Sequence, residues 1–203
     1  MNPKTRREQI AGPAGAIECA VDLPAGEAIG LAVICHPHPQ GGGTLDNKVV
    51  QTVARALLQL GWQCVRFNFR GVGASGGAWD EGRGEVDDAM AVIEHYRAAQ
   101  PRLLLAGFSF GGFVAAQAAS QLAEGRKAER LLLVAPSTQK QLVPPVPADT
   151  VVIHGELDDV VPLSATLDWA RPQILPITVV PAGGHFFHGQ LPLLKDIVLR
   201  ALH

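Results

Sequence analysis

Between Leu103 and Gly112 the chain reads LLLAGFSFGG, an apolar run that ends in one serine among glycines. Continuous apolar character marks a strand buried on both faces of a parallel sheet. The Ala-rich stretch that follows, from Phe110 to Leu122, has the composition of a helix. A strand that becomes a helix within one residue holds that residue in strained backbone. The chain two positions to either side then passes too close for a Cβ, hence Gly107 and Gly111. The apex is Ser109. Its hydroxyl is expected to project above the sheet, where the helix offers free N–H groups and the positive end of its dipole. An anion forming on a bound molecule is stabilised at such a point.

The pattern G-x-S-x-G occurs twice, the second time as Gly73-Ala74-Ser75-Gly76-Gly77, and with 22 glycines in 203 residues a chance copy is unsurprising. Context separates the two. Ser75 comes several residues after the apolar run Val65 to Phe69, and the Gly76-to-Gly82 stretch behind it cannot open a helix. Ser109 alone has strand before and helix after, and Ser75 reads as a loop residue.

The rest of the chain alternates in the same way. After a polar start, Ala16 to Val21 reads as a strand and Asp22 to Glu27 as a turn, both at the edge of the sheet. Further strands are Gly30 to Cys35, Gln63 to Phe69, Arg130 to Ala135, Thr150 to His154 and Ile177 to Val180. Val49, Val50, Val53, Leu57, Leu58 and Leu60 recur at helical spacing behind Asp46 as cap, with Gly61 as the stop. A flexible acidic stretch precedes a helix from Glu85 to Ala99 that Pro101 closes, and two more helices run near Leu163–Ala170 and Leu193–Leu202. The connector Pro136 to Ala148 holds four prolines and no helical pattern, so it reads as a plain loop. Strands alternating with helices over short connections specify one α/β domain over residues 1–203, a mostly parallel twisted sheet with helices on both faces. Functional loops then gather at the carboxyl ends of the strands. His36, His38, Arg70, Ser109, Asp158 and His185 all fall there.

A serine hydroxyl becomes a useful nucleophile when an imidazole takes its proton and a carboxylate orients that imidazole. The later strand ends supply HGELDDVVP, from His154 to Pro162, and GGH, from Gly183 to His185. Spacing alone leaves Asp158 and Asp159 open as the carboxylate. His188 competes with His185 for the imidazole, and His154, at a strand end, reads as a hydrogen-bonded structural residue.

The elbow GFSFGG, the blocks HGELDDVVP and GGHFF, and NFRGVGASGG after the fourth strand together resemble the α/β-hydrolase superfamily over essentially the whole chain. More narrowly, HPHPQGGG…DNKVV with RFNFRGVGASGG and HFFH is similar to small lidless bacterial hydrolases related to dienelactone hydrolase, which itself carries cysteine at the elbow. The resemblance implies Ser109 as nucleophile, His185 as general base and then acid, and Asp158 as the residue that holds His185. It implies an oxyanion hole made from the backbone N–H of Phe110 and of the loop after the third strand. Pro37 and Pro39 have no N–H, which leaves His38. Where the superfamily usually has Asp after the fourth strand this chain has Asn68, so an ion pair is not expected there. Arg70 is a candidate to meet an anionic substrate, or else pairs with Glu85 or Asp88. Phe186 and Phe187 line an acyl pocket or anchor the histidine loop.

The resemblance and these residues lead to the expectation of a serine hydrolase of small carboxylic esters or thioesters, with a small acyl substrate as its partner and no cofactor or metal. A peptidase or acyltransferase would show the same residues, and a binding or scaffold protein could keep the fold without the chemistry. The formal charge of −2 argues against nucleic acid. No basic-then-apolar N-terminus and no apolar run of membrane-spanning length stands in the sequence, so a cytoplasmic location without membrane contact is expected. Cys19, Cys35 and Cys64, all in or at the ends of strands, read as reduced core thiols. The oligomeric state is left open.

Overall fold

The apolar runs become the strands of one sheet, and their alternation decides which face each side chain serves. In a computed structural model that describes residues 4–97 and 102–203, the strands are β1 (Arg6–Gly12), β2 (Gly15–Asp22), β3 (Leu31–Cys35), β4 (Gln63–Phe67), β5 (Leu103–Phe108), β6 (Arg130–Val134), β7 (Val151–Gly155) and β8 (Thr178–Val180). The helices are α1 (Lys48–Gln59), α2 (Arg83–Arg97), α3 (Phe110–Gln121), α4 (Leu163–Ala170) and α5 (Leu191–Leu202). Across the sheet the order is β1-β2-β4-β3-β5-β6-β7-β8. β2 pairs antiparallel with both β1 and β4, and every other pairing is parallel.

Successive residues of a strand point to opposite faces. On β3, Leu31, Val33 and Cys35 join Leu103 and Leu105 of β5 in a core closed by Val86 and Ile93 of α2 and Val114 of α3. Ala32 and Ile34 join Leu104, Ala106 and Phe108 on the other face, against Val53 and Leu57 of α1 and Leu194 and Val198 of α5. The large apolar side chains of these strands are fully buried, each contributing about 2 kcal/mol of transfer free energy. The connector from β6 to β7 contains no helix, so nothing is inserted over the carboxyl edge of the sheet at the place where a lid would arise.

The structure departs from the sequence reading at several points. The polar start is a strand: β1 buries Ile10 and exposes most of its other residues, a pattern too thin to announce itself. β2 is therefore an interior strand and not an edge. The cap of α1 is Asn47, whose side chain accepts from the N–H groups of Val49 and Val50 at 2.9 and 3.4 Å. Asp46 is instead bonded by Arg7 at 2.6 Å. Either residue type suits a cap, so composition could not choose between them. The acidic stretch before α2 is tied down: the Glu85 carboxylate accepts from the N–H groups of Asp80 and Gly82, and that of Asp80 from Gly84. The expected continuation of α2 to Ala99 and its closure at Pro101 lie outside the described residues. Ser75 donates to Asn68 O at 2.7 Å and accepts from Glu18 N–H at 2.9 Å, fastening its loop to β2.

Replacing the cap by Asn47→Ala is expected to lower the unfolding free energy by about 1 kcal/mol, read as an earlier midpoint in urea at unchanged slope. A change below about 0.3 kcal/mol would return the capping role to Asp46.

Candidate active site

Ser109 stands between β5 and α3 at φ 56° and ψ −119°, a left-handed conformation that side-chain-bearing residues rarely adopt. The neighbouring chain explains the glycines around it. A Cβ on Gly107 would lie 2.0 Å from Gly111 O, and one on Gly111 would lie 2.3 Å from Cys35 O. Ser109 N–H donates to Val134 O at 2.9 Å, and Ser109 O accepts from the N–H groups of Gly112 and Ser137 at 2.9 and 3.1 Å.

The side chains of three distant loops meet at this apex. His185, from the loop after β8, places Nε2 at 3.0 Å from Ser109 Oγ and Nδ1 at 2.7 Å from Asp158 Oδ2. An ionised carboxylate only accepts, so Nδ1 carries the proton and Nε2 is left to accept from the serine hydroxyl. Asp158 is held by more than the histidine: its Oδ1 accepts from the N–H groups of Val160 and Val161 at 2.9 and 2.7 Å. Burial opposes its charge, but the bond from His185 and those from Val161 and Val160 outweigh it, and the carboxyl lies below the usual range. Asp159 and His188 are not part of this chain of bonds.

The loop after β3 is positioned by His36, which is completely buried. Phe69 N–H donates to its Nε2 at 3.1 Å, so Nδ1 carries the proton, 2.6 Å from Pro37 O. Burial, only partly countered by the bond to Pro37, lowers its pKa to about 4. The imidazole thus joins the loop to the end of β4 as a neutral bridge. His38 O accepts from Gly41 and Gly43 N–H, both at 3.0 Å. Among the described residues no acceptor takes the His38 N–H. The Phe110 N–H, first in α3, has no helical acceptor either. A cleft of about 340 Å³ opens over Ser109, walled by His38, Phe110, the turn from Ser137 to Lys140, Val160 and Val161. Both N–H groups belong to residues of that wall.

Other candidates are placed differently. The guanidinium of Arg70 makes two bonds to Asp88, at 3.1 and 2.9 Å, and its backbone N–H a third at 2.9 Å. It is absent from the cleft wall, and of the two readings offered for it the ion pair with Asp88 is the one formed. Phe186 is 42% exposed and packs edge-on against the His185 ring at 5.0 Å, outside the cleft wall. Phe187 is fully buried at φ 51° and anchors the loop. Asn68 accepts from Leu45 N–H and donates to the Glu18 carboxylate, so two hydrogen bonds from a neutral amide stand where an ion pair was doubted. His154, also fully buried, was read as structural: its Nε2 donates to Val161 O at 2.9 Å and lies 3.4 Å from Asp158 Oδ2. Sequence reasoning did not single out Val160, Val161 or Ser137, which act through backbone groups and carry no composition signal.

Residues 30–165 match the family model described as serine aminopeptidase, S33. The chain is 39% identical to a Xanthomonas campestris protein described as an α/β serine hydrolase without lid, covering 100% of this chain and 95% of that one at a TM-score of 0.88. An α/β serine hydrolase homologue from Coxiella burnetii is 38% identical, covering 98% of this chain and 97% of that one at a TM-score of 0.86. An uncharacterised protein of Rickettsia prowazekii (strain Madrid E) is 32% identical over an alignment of 159 residues that covers 74% of this chain and 66% of that one. The chain thus spans slightly under two thirds of that relative's length.

Because His36 is neutral when folded and takes a proton below about pH 6.5 when unfolded, its contribution is complete above that pH. It is lost as the pH falls toward its folded pKa of about 4. Between pH 7 and pH 5, His36→Gln is therefore expected to flatten the decline of unfolding free energy by about 2 kcal/mol in urea titrations. Parallel declines in the two proteins would show that His36 is not held neutral.

Proposed function

The chain belongs to the serine hydrolase family of the S33 aminopeptidase type, with an α/β-hydrolase fold that has no lid, and from this we propose that it cleaves small carboxylic esters or thioesters through an acyl-enzyme. The observation that carries the reading is the continuous path from Ser109 Oγ through His185 to Asp158, with steps of 3.0 and 2.7 Å.

Ser109 Oγ attacks the acyl carbon while its proton passes to His185 Nε2. The imidazolium that results faces the Asp158 carboxylate at Nδ1, which stabilises the new charge. The carbonyl oxygen becomes an oxyanion beside the N–H groups of Phe110 and His38, where preorganised donors act without reorganising. Collapse of the tetrahedral species breaks the bond to the leaving oxygen or sulfur, which takes the proton from His185. A water then enters, gives its proton to the same nitrogen and attacks the acyl carbon, and release of the acid returns the proton to Ser109. Phe108, 4.9 Å from the His185 ring, and buried Phe187 behind the loop support the position of that imidazole.

An open, lidless cleft of about 340 Å³ suits short, water-soluble acyl groups. The family description keeps a peptidase in view. An aminopeptidase must hold a substrate ammonium, and among the described residues the cleft wall contains no Asp or Glu to do so. Esters and thioesters are therefore favoured.

Treatment with a small fluorophosphonate should add one label to the wild type and none to Ser109→Ala, by intact mass. Asp158→Asn should lower kcat on p-nitrophenyl butyrate by about a thousandfold or more. Faster release of amino-acid p-nitroanilides than of p-nitrophenyl esters, after correction for their intrinsic reactivity, would move the assignment to the peptidase. A well-folded wild type that takes no label would sink the hydrolase reading.

A further inference from the structure

Charge inside the cleft is of one sign. Lys140 is the single Lys, Arg, Asp or Glu on its wall. Asp158 is bonded by His185, Val160 and Val161, Glu85 by Asp80 and Gly82, and Asp88 by Arg70, while Asp159, exposed beside Val160, stands outside the cleft wall. Among the described residues no carboxylate pairs with Lys140. Its field reaches across the opening, where, after burial, it is the next cause that lowers the pKa of His38, against a smaller opposing effect of Glu85. The protein as a whole carries a formal charge of −2, so a positive cleft is not a reflection of a basic surface. Clefts lined by one sign of charge concentrate ligands of the other.

The turn that carries Lys140 is anchored on both sides. Ser137 N–H donates to Ser109 O at 3.1 Å, Gln141 N–H donates to Ser137 O at 3.1 Å, and Ser137 Oγ donates to Gln141 Oε1 at 2.5 Å. Beyond it Val143 is buried, and its carbonyl accepts from Trp169 Nε1 at 3.1 Å. The lysine stem therefore starts three residues after Ser137, whose N–H is bonded to the residue at the apex. The direction of the substrate follows from His185, which protonates the leaving group. Neither His185 nor Phe186 belongs to the cleft wall, so the leaving group lies toward them and the acyl chain occupies the cleft.

We propose that Lys140 selects esters whose acyl chain ends in a carboxylate, so that the natural substrate is a half-ester or half-thioester of a short dicarboxylic acid. This rests on the serine hydrolase reading above. The chemistry is a charge pair formed in the Michaelis complex between the Lys140 ammonium and the far end of the acyl chain. No neighbouring carboxylate has to be displaced from Lys140 to form it.

The test compares kcat/KM for mono-p-nitrophenyl adipate with that for p-nitrophenyl hexanoate, which has the same chain length without the charge. In Lys140→Met the adipate-to-hexanoate ratio should fall about fivefold, the scale of a partly exposed charge pair. Lys140→Arg should restore it and Lys140→Glu should take it lower still. Raising NaCl to about 0.5 M should compress the wild-type ratio toward that of Lys140→Met. An unchanged ratio across variants that still take one fluorophosphonate label overturns the role of Lys140 and leaves the hydrolase reading standing. A drop confined to 4-acetoxybenzoate relative to phenyl acetate, where the charge sits on the leaving group, overturns the acyl-side assignment. A wild type with neither label nor turnover removes both readings together.

Discussion

The close approach of three backbones around Ser109 is the constraint on which the rest of the structure depends. A side chain at Gly107 would strike the carbonyl of Gly111, and one at Gly111 would strike the carbonyls of Cys35 and His36, at 2.3 and 2.5 Å. β3, β5 and α3 are therefore in backbone contact where other elements are separated by side chains. A non-glycine residue at positive φ costs about 1–3 kcal/mol. Here it is held by hydrogen bonds from both peptide groups of Ser109 to β6, the turn after β6, and α3. The same device recurs on the other side of the site. A Cβ on Gly155 would lie 2.3 Å from Gly183 O, and Leu157 N–H donates to that carbonyl at 2.8 Å. The loop that carries Asp158 and the loop that carries His185 are thereby joined before their side chains meet.

How much of this could be read in the chain depended on the range of the rule. The elbow was legible because its cause is local: a strand, a turn and a helix within ten residues leave few choices. The buried strands were legible because burial on both faces removes polar residues from the whole run. β1 was not, since an edge strand with one buried residue has no such pattern and owes its place to pairing with β2. The cap of α1 was narrowed to adjacent residues that both qualify, and the long-range pull of Arg7 and Arg66 on Asp46 separated them. Arg70 offered two acidic neighbours in the sequence. Glu85 is turned to backbone N–H groups at the start of α2, and this leaves Asp88 for the ion pair.

The site divides along the same line. The serine, acid and histidine were readable as residue types at the ends of strands, in an order that a family resemblance could arrange. The groups that set their electrostatics were not readable, because they are backbone N–H and C=O groups common to every residue. Val161 and Val160 add backbone N–H groups to the bond from His185 that keeps Asp158 ionised. Lys140 was not legible for a related reason: an exposed lysine in a loop has no distinguishing pattern, and its meaning comes from being the one Lys, Arg, Asp or Glu that lines the cleft among the described residues.

Three imidazoles at the carboxyl edge show that function here belongs to the partners of a side chain more than to the side chain. His36 faces one N–H and one carbonyl, so its neutral form is satisfied at both nitrogens and a further proton would set Nε2 against a donor. His154 faces a carbonyl at Nε2 and no described acceptor or donor at Nδ1, and burial lowers its pKa as well. His36 serves as a compact, uncharged bridge from its loop to the end of β4, and His154 ties the end of β7 to the loop that follows it. His185 differs because a carboxylate faces Nδ1 and a hydroxyl faces Nε2. Gaining a proton at Nε2 then strengthens the first contact and frees the second, which is the change a general base must make. Exchanging the partners of His36 and His185 would exchange their uses, although the ring is the same.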